Sequence, residues 1–418
     1  MQVGLASNKG EKELENSRKV IENIYWVGSS DRRLALFENL FPVTNGVSYN
    51  SYVILDEKTA LMDTVDSSVS AIFLQNIEAA LQGRELDYLV IHHMEPDHCA
   101  NMEEIVRRYP KVKLVGNEMT FRLLEQFYPI QAQDNYLFVK EGDELNLGTH
   151  NLSFVMTPGV HWPEVMMSYE QTNKLLFSAD AFGTFASIDG NLFTNDLDFE
   201  GRIFEEARRY YVNIVGRFGA NVLMALKKLK DLEIQMILPL HGPLYNSDTT
   251  IHKIMAAYSK WASYEPEEKS VLVLFGSMYG NTENAVDILA GKLSEKGVKN
   301  IKTHDISRID PSYIMADMFR YSNIVFASPN YNTSLFLKMD NVIREALKLD
   351  IKNRKLSFIR NFSWGGSALE IMLDYFGNEE NFTIVGAPVE INSSVKEADV
   401  KKLDELAHSI MDSLGEER

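Results

Sequence analysis

At 418 residues the chain is long for a single hydrophobic core, so two domains are expected, and a formal net charge of −17 with no basic stripe excludes a phosphate-backbone binder. A single cysteine, Cys99, excludes an intrachain disulfide framework and any Cys-x-x-Cys rubredoxin or iron–sulfur site. Residues 1–20 are polar and charged and no apolar run reaches membrane-spanning length, so no membrane partner is expected and the cytoplasm is the default compartment.

In the first half, strand-like runs at 51–55, 61–63, 89–91, 152–156 and 174–177 mix with helical patterns at 69–81, 102–109, 204–215 and 220–230. Between the run at 89–91 and the helix at 102–109 stands His93-Met94-Glu95-Pro96-Asp97-His98, two imidazoles and two carboxylates in six residues. Adjacent desolvated carboxylates repel each other, so that density requires a cation. Three further candidates each follow an apolar run and precede a turn signal: His161 in Pro-Gly-Val-His-Trp-Pro, Asp180 in Ser-Ala-Asp-Ala-Phe-Gly, and His241 in Pro-Leu-His-Gly-Pro.

Four imidazoles (His93, His98, His161, His241) and three carboxylates (Glu95, Asp97, Asp180) are too many ligands for one first-row ion and suit two ions sharing a bridging carboxylate. Two His and one carboxylate per metal, with open positions, is the pattern of non-haem iron. A zinc hydrolase more often carries a neutral His where Glu95 stands, and the extra anion favours a ferric state.

Other candidates take structural readings. His92 faces away from His93 by strand alternation, and Cys99 is packing. His150, His252, His304 and His408 lack ligand neighbours and are expected at the surface. Met156, Met166 and Met167 are expected in the core. One of Tyr210 and Tyr211, on a later helix, is a candidate to line the same pocket.

The polar, Pro-containing stretch at 256–270 marks a boundary, giving domains 1–265 and 266–418. Beyond it, strand–helix alternations running to an amphipathic helix at 395–414 call for a parallel sheet. The strand at 271–276 leads through Ser277-Met278-Tyr279-Gly280-Asn281-Thr282 into a helix at 283–293. Such a hydroxyl- and Gly-rich turn aims backbone N–H groups and the positive helix end at a phosphate. It is neither a Walker loop nor Gly-x-Gly-x-x-Gly, which favours a mononucleotide. Two more loops leave strands on the same side: Ser328-Pro329-Asn330-Tyr331-Asn332-Thr333 after 324–327, and Asn361-Phe362-Ser363-Trp364-Gly365-Gly366 after 356–359. Doubly wound sheets bind flavin there, with Tyr331 and Trp364 placed to flank the ring.

The pattern of His93, Glu95, Asp97 and His98, followed by His161, Asp180 and His241, resembles the metallo-β-lactamase superfamily. Joined to a flavodoxin-like half, it resembles the flavodiiron proteins from about residue 24 to the end. The resemblance implies an α/β chain: an N-terminal metallo-β-lactamase-like αββα sandwich and a C-terminal flavodoxin-like doubly wound parallel sheet. It implies two non-haem Fe, one held by His93, Glu95 and His161 nearer the flavin, the other by Asp97, His98 and His241, with Asp180 bridging. It implies FMN on the three C-terminal loops. Departures fall in the second and third loops, where Thr is usual at Asn330, Gly at Thr333, and Gly-Ser-Tyr-Gly-Trp at residues 360–364.

The implied activity is an oxidoreductase passing electrons from FMN to the diiron site, which reduces O₂ to water or NO to N₂O, with no side chain acting as nucleophile. The implied partners are rubredoxin or a similar small electron-transfer protein, and a second copy in a head-to-tail homodimer or dimer of dimers. Two rivals are a dizinc hydrolase whose flavodoxin-like part docks a partner, and a flavin carrier whose first domain has no catalytic metal.

Overall fold

The computed structural model describes residues 16–130, 132–377 and 381–415; most of the polar opening stretch lies outside them. The chain forms two compact units, one from residues up to Ala207 with Met224–Met255, the other from Arg208–Leu223 with Ala256 onward. The break expected at 265/266 falls instead at 255/256, inside the helix Asp248–Ala262. Composition marks where that helix ends, whereas packing changes earlier. Tyr258 and Trp261, near its C-terminus, pack against Tyr211 at ring separations of 4.8 and 5.1 Å, and so belong to the second unit's core.

The first unit contains a seven-stranded sheet in the order Arg18–Ile21, Ile24–Trp26, Tyr52–Ile54, Ala60–Met62, Tyr88–Val90, Lys113–Gly116, Tyr136–Phe138. A five-stranded sheet faces it, ordered Glu144–Asn146, Asn151–Met156, Met166–Glu170, Leu175–Phe177, Met236–Leu238. Side chains of both sheets fill one buried cluster, with Ile54, Met62, Val90 and Val115 from the first and Phe154, Met166, Leu175 and Leu238 from the second. Tyr52 and Phe177 meet across it edge to face at 5.4 Å. The strands Tyr52–Ile54 and Ala60–Met62 are buried at every position, as strands covered on both faces must be. The helix Ser70–Leu81 contacts the first of them.

The helix expected at 204–215 is α-helical only over Phe204–Tyr210 and widens to a π turn over Tyr211–Val215. The Asn213 amide donates to the Arg209 carbonyl at 2.7 Å, and side chains that bond the backbone in this way compete with the regular ladder.

The second unit is built on a parallel sheet in the order Lys302–Asp305, Glu268–Phe275, Tyr321–Tyr331, Arg354–Phe362, Phe382–Ile384, and Val389–Asn392 also pairs with Arg354–Phe362. In chain order this is second, first, third, fourth, then a fifth strand in two pieces, the doubly wound flavodoxin-like arrangement. Two of its central strands carry buried apolar runs, Val271–Phe275 and Ile324–Ala327, as strands covered on both faces do. On one side Ala285, Leu289 and Leu293 meet Leu403, Leu406 and Ile410 from the last helix.

Arg354 is fully buried in this unit and donates to the carbonyls of Met318, Phe319 and Tyr264, each at 2.7 Å, and of Lys352 at 2.9 Å. Arg354→Met keeps the volume but strips these carbonyls of a charged donor. The expected loss is at least about 3 kcal/mol, since hydrogen bonds to charged groups contribute about 1.5–3 kcal/mol each. Urea unfolding of this unit checks it; a loss below about 1 kcal/mol would show that water replaces the guanidinium.

Candidate metal centre and flavin loops

The six-residue cluster changes backbone geometry in its middle. Glu95 is extended, and Pro96 then opens a one-turn helix, Pro96–Cys99. Residues two apart in an extended segment share a side, so His93 and Glu95 converge, and the helical turn swings Asp97 and His98 elsewhere. Two ligand groups result, His93, Glu95, His161 and Asp180 in one, Asp97, His98 and His241 in the other.

Asp180 stands between them. Its Oδ2 lies 3.1 Å from His161 Nε2 and 3.4 Å from His93 Nε2, while Oδ1 lies 3.1 Å from His98 Nε2 and 3.6 Å from His241 Nε2. Glu95 Oε2 is 3.2 and 3.1 Å from His93 and His161, and Asp97 Oδ2 is 3.4 and 3.3 Å from His98 and His241. Metal bonds of about 2.1 Å place neighbouring ligands about 3.0 Å apart in octahedral and about 3.4 Å apart in tetrahedral geometry. The observed spacings are those of ligands around a cation. Both Asp97 oxygens, both His98 nitrogens and Asp180 Oδ1 are buried without a hydrogen-bond partner, which a metal pair would remedy.

The electrostatics agree. Burial alone would depress the imidazoles of His98 and His161; Asp97 and Asp180 around the first, and Asp180 and Glu95 around the second, outweigh it and lift each to about 9. Burial would raise Glu95, but hydrogen bonds from His161 and His93 hold it far below the usual carboxylate range.

His241 and His93 are braced from behind. His241 Nδ1 donates to the Ser48 carbonyl at 2.8 Å, and the Asn50 amide holds the flanking Pro239 and Gly242 carbonyls, each at 2.8 Å. Asp63 Oδ1 accepts from His92 N–H at 2.7 Å and His93 N–H at 3.3 Å. Glu164 accepts from His93 Nδ1 at 2.8 Å. Glu38, on an exposed hairpin, is lifted to about 8 by partial burial and the neighbouring Glu95 carboxylate. None of these supports was foreseen. The signal for Glu164 was a carboxylate three residues after His161; for Asp63, an acid ending an apolar strand.

The three C-terminal loops leave neighbouring parallel strands. In the first, Ser277 Oγ accepts from Gly280 N–H at 3.1 Å and Glu283 N–H at 3.4 Å, and the helix Asn281–Glu295 begins there. Gly280 has φ +87°, and nothing lies within 4 Å of where its Cβ would be, so the backbone is open to a ligand. Asn330 ties the other two loops, its amide donating to the Gly365 carbonyl at 3.3 Å and its oxygen accepting from Ala368 N–H at 3.2 Å. Gly366 is required, because a Cβ would lie 2.3 Å from the Asn330 amide. Met278, Tyr279, Tyr331 and Trp364 are left exposed, whereas Thr282 is buried in the first helical turn. Asn332 and Thr333 form a left-handed turn, and Ser363 Oγ meets Ser393 Oγ at 2.8 Å. Ser328 and Pro329 lie inside the sheet, and the Asn361 amide is bound to the Ser393 carbonyl at 2.9 Å, so these three shape the loops from beneath.

Some expectations change. His150 and His304 are buried rather than superficial, paired with Glu170 at 3.1 Å and Asp317 at 2.6 Å. His92, as strand alternation predicts, points away from the ligands, to Ser168 at 2.7 Å and to Asp63. Tyr211 packs in the second unit's aromatic cluster and not among the metal ligands.

Residues 47–242 match a family model described as ODP family beta lactamase. The anaerobic nitric oxide reductase flavorubredoxin of Pectobacterium atrosepticum is 31% identical over 359 residues, covering 84% of this chain and 69% of that protein. That of Aeromonas hydrophila is 31% identical over 84% and 71%. Among solved structures, rubredoxin oxygen:oxidoreductase from Desulfovibrio gigas superposes with a TM-score of 0.89 at 24% identity, covering 95% of this chain and 98% of that one. The flavodiiron protein from Giardia intestinalis gives 0.86 at 23%, covering 95% and 96%. The metallo-β-lactamase-like and flavodoxin-like units, with relatives of this similarity along most of the sequence, establish that the chain belongs to the flavodiiron family of oxidoreductases.

Proposed function

We propose that this protein takes electrons at FMN on its second unit and delivers them to a diiron pair held by His93, Glu95 and His161, and by Asp97, His98 and His241, reducing O₂ to water or NO to N₂O. The observation that carries the reading is Asp180, whose two oxygens face separate groups of imidazoles. Bound together, FMN stores two electrons and releases them singly, while an iron pair offers open positions to a diatomic gas. The chain's own contribution is placement: carboxylates that neutralise cationic charge, the His93 and His241 imidazoles locked by the groups behind them, and loops that grip a phosphate.

The names of the relatives support both gases and a rubredoxin-type donor. Tyr331 and Trp364, exposed at 48% and 68%, suit the faces of an isoalloxazine ring. A head-to-tail homodimer, alone or as a dimer of dimers, is the proposed assembly, since it sets the FMN of one subunit beside the metal pair of the other. The proposed compartment is the cytoplasm, where the lone thiol of Cys99 persists unpaired. Among the described residues no helix is long and apolar enough to cross a membrane. The dizinc hydrolase is not favoured, because Glu95 adds an anion that hydrolysis does not need.

Metal analysis and turnover of purified protein with reduced rubredoxin and each gas test the reading; two zinc and no iron would overturn it. Asp180→Ala should lose metal from both positions, and retention of two irons per chain would place the bridge elsewhere. Ser277→Ala combined with Thr282→Ala should weaken FMN by about 3 kcal/mol, roughly a hundredfold. An unchanged flavin titration would move the phosphate to another loop.

Metal-free protein should also respond to pH in a defined sense. His98 and His161 have folded values of about 9 against a reference of 6.5, so their stabilisation is complete below 6.5 and is lost as pH rises through 9. Melting temperature in chelator should fall across that window, and the metal-loaded protein should not show the fall. A flat profile in chelator would mean that the imidazoles are neutral in the folded chain.

A further inference from the structure

The two ligand groups are alike in composition but not in what stands behind them. His241 passes its outer N–H to a neutral carbonyl, that of Ser48, and His98 Nδ1 is buried without a hydrogen-bond partner. His93 instead gives its Nδ1 proton to the Glu164 carboxylate at 2.8 Å. The same Glu164 oxygen, Oε1, accepts from Met94 N–H at 2.8 Å, while Oε2 is buried with no hydrogen-bond partner. Glu164 is 1% exposed and its backbone is pinned, since its carbonyl accepts from the Asn117 amide at 2.6 Å. Asn117 in turn caps the helix Glu118–Phe127 in a reciprocal bond with Thr120. A buried carboxylate is costly, and this one is fixed behind one particular imidazole.

A carboxylate accepting from the far nitrogen of a ligating imidazole raises its basicity toward the metal more than a carbonyl does. The Glu95 side of the site therefore has two carboxylates of its own, Glu95 and Glu164, against Asp97 alone on the other side, with Asp180 shared. We propose that Glu164 is a positioning residue that makes the two metal positions unequal. The position at His93, Glu95 and His161 binds a divalent cation more tightly, fills first, and is the harder of the two to reduce. This rests on the reading that the cluster holds two metals.

Glu164→Gln separates charge from geometry, because an amide oxygen can still accept from both His93 and Met94. Metal-free wild type, Glu164→Gln and Glu164→Ala are titrated with Co²⁺ against a competing chelator, with thermal melts of the metal-free forms as a check on folding. Wild type should bind in two distinguishable steps. In Glu164→Gln the tighter step should weaken by about 10- to 100-fold and merge with the other, which stays unchanged. In iron-loaded protein the mixed-valence signal should grow in at a different potential in a redox titration of that variant. Glu164→Gln binding like wild type while Glu164→Ala loses metal would reduce the role to geometry and overturn the proposal, as would equal weakening of both steps. Wild type failing to bind two equivalents would overturn the two-metal reading itself, before any variant is compared.

Discussion

Seven ionisable side chains held within bonding distance of two points form the constraint on which the first unit depends. Carboxylates this close raise each other's energy, and burial in the sandwich forbids water from relieving them. The fold answers by drawing ligands from loops at the ends of both sheets, so that no single element carries the strain. His93 to His98 follow a strand of one sheet, while His161, Asp180 and His241 follow strands of the other. The site thus exists only when the sheets are packed face to face, and cation binding is coupled to that packing.

The loops of the second unit, proposed to hold FMN, solve a different problem. A phosphate needs donors, and a helix beginning at a Gly-containing turn supplies backbone donors without burying a charge. These loops can stay exposed in the isolated unit, and Tyr279 is 91% exposed. The metal loops cannot be so loose, which is why they are laced by Asn50, Asp63 and Ser48 and the flavin loops by little more than Ser277 and Asn330.

That difference explains what could be read in advance. The convergence of the His93–His98 run with His161, Asp180 and His241 was legible by density, because few other pressures put two acids and two imidazoles in six residues. The parallel sheet was legible because strands and helices alternate along the second half of the chain. Glu164 was not, because a lone acid near a histidine is ordinary, and its role comes from a loop folding back on His93. The burial of His150 and His304 is hidden for the same reason: each pairs with a carboxylate outside its own segment, Glu170 or Asp317, which neighbouring residues do not reveal. Asn213, in the π turn after Tyr210, also donates to the Ser312 carbonyl at 3.2 Å, again a long-range contact. The domain break was displaced because composition reports the end of a helix, whereas the core changes where Tyr258 and Trp261 turn toward Tyr211.

The same sandwich and loop ends could in principle serve hydrolysis or redox chemistry, so the distinction must lie in charge. A hydrolytic centre gains from weakly anionic ligands, which leave the cations acidic enough to ionise water. Here Glu95 replaces what would be a neutral imidazole, and Glu164 sits behind another. Each added carboxylate cancels cationic charge, makes bound water less acidic, and stabilises the higher oxidation state of a metal that can change its own. A metal with one oxidation state gains nothing from that stabilisation and loses acidity by it. The placement of two acids, Glu95 and the buried Glu164, on one side of the pair is therefore costly for a zinc hydrolase and useful to an iron reductase.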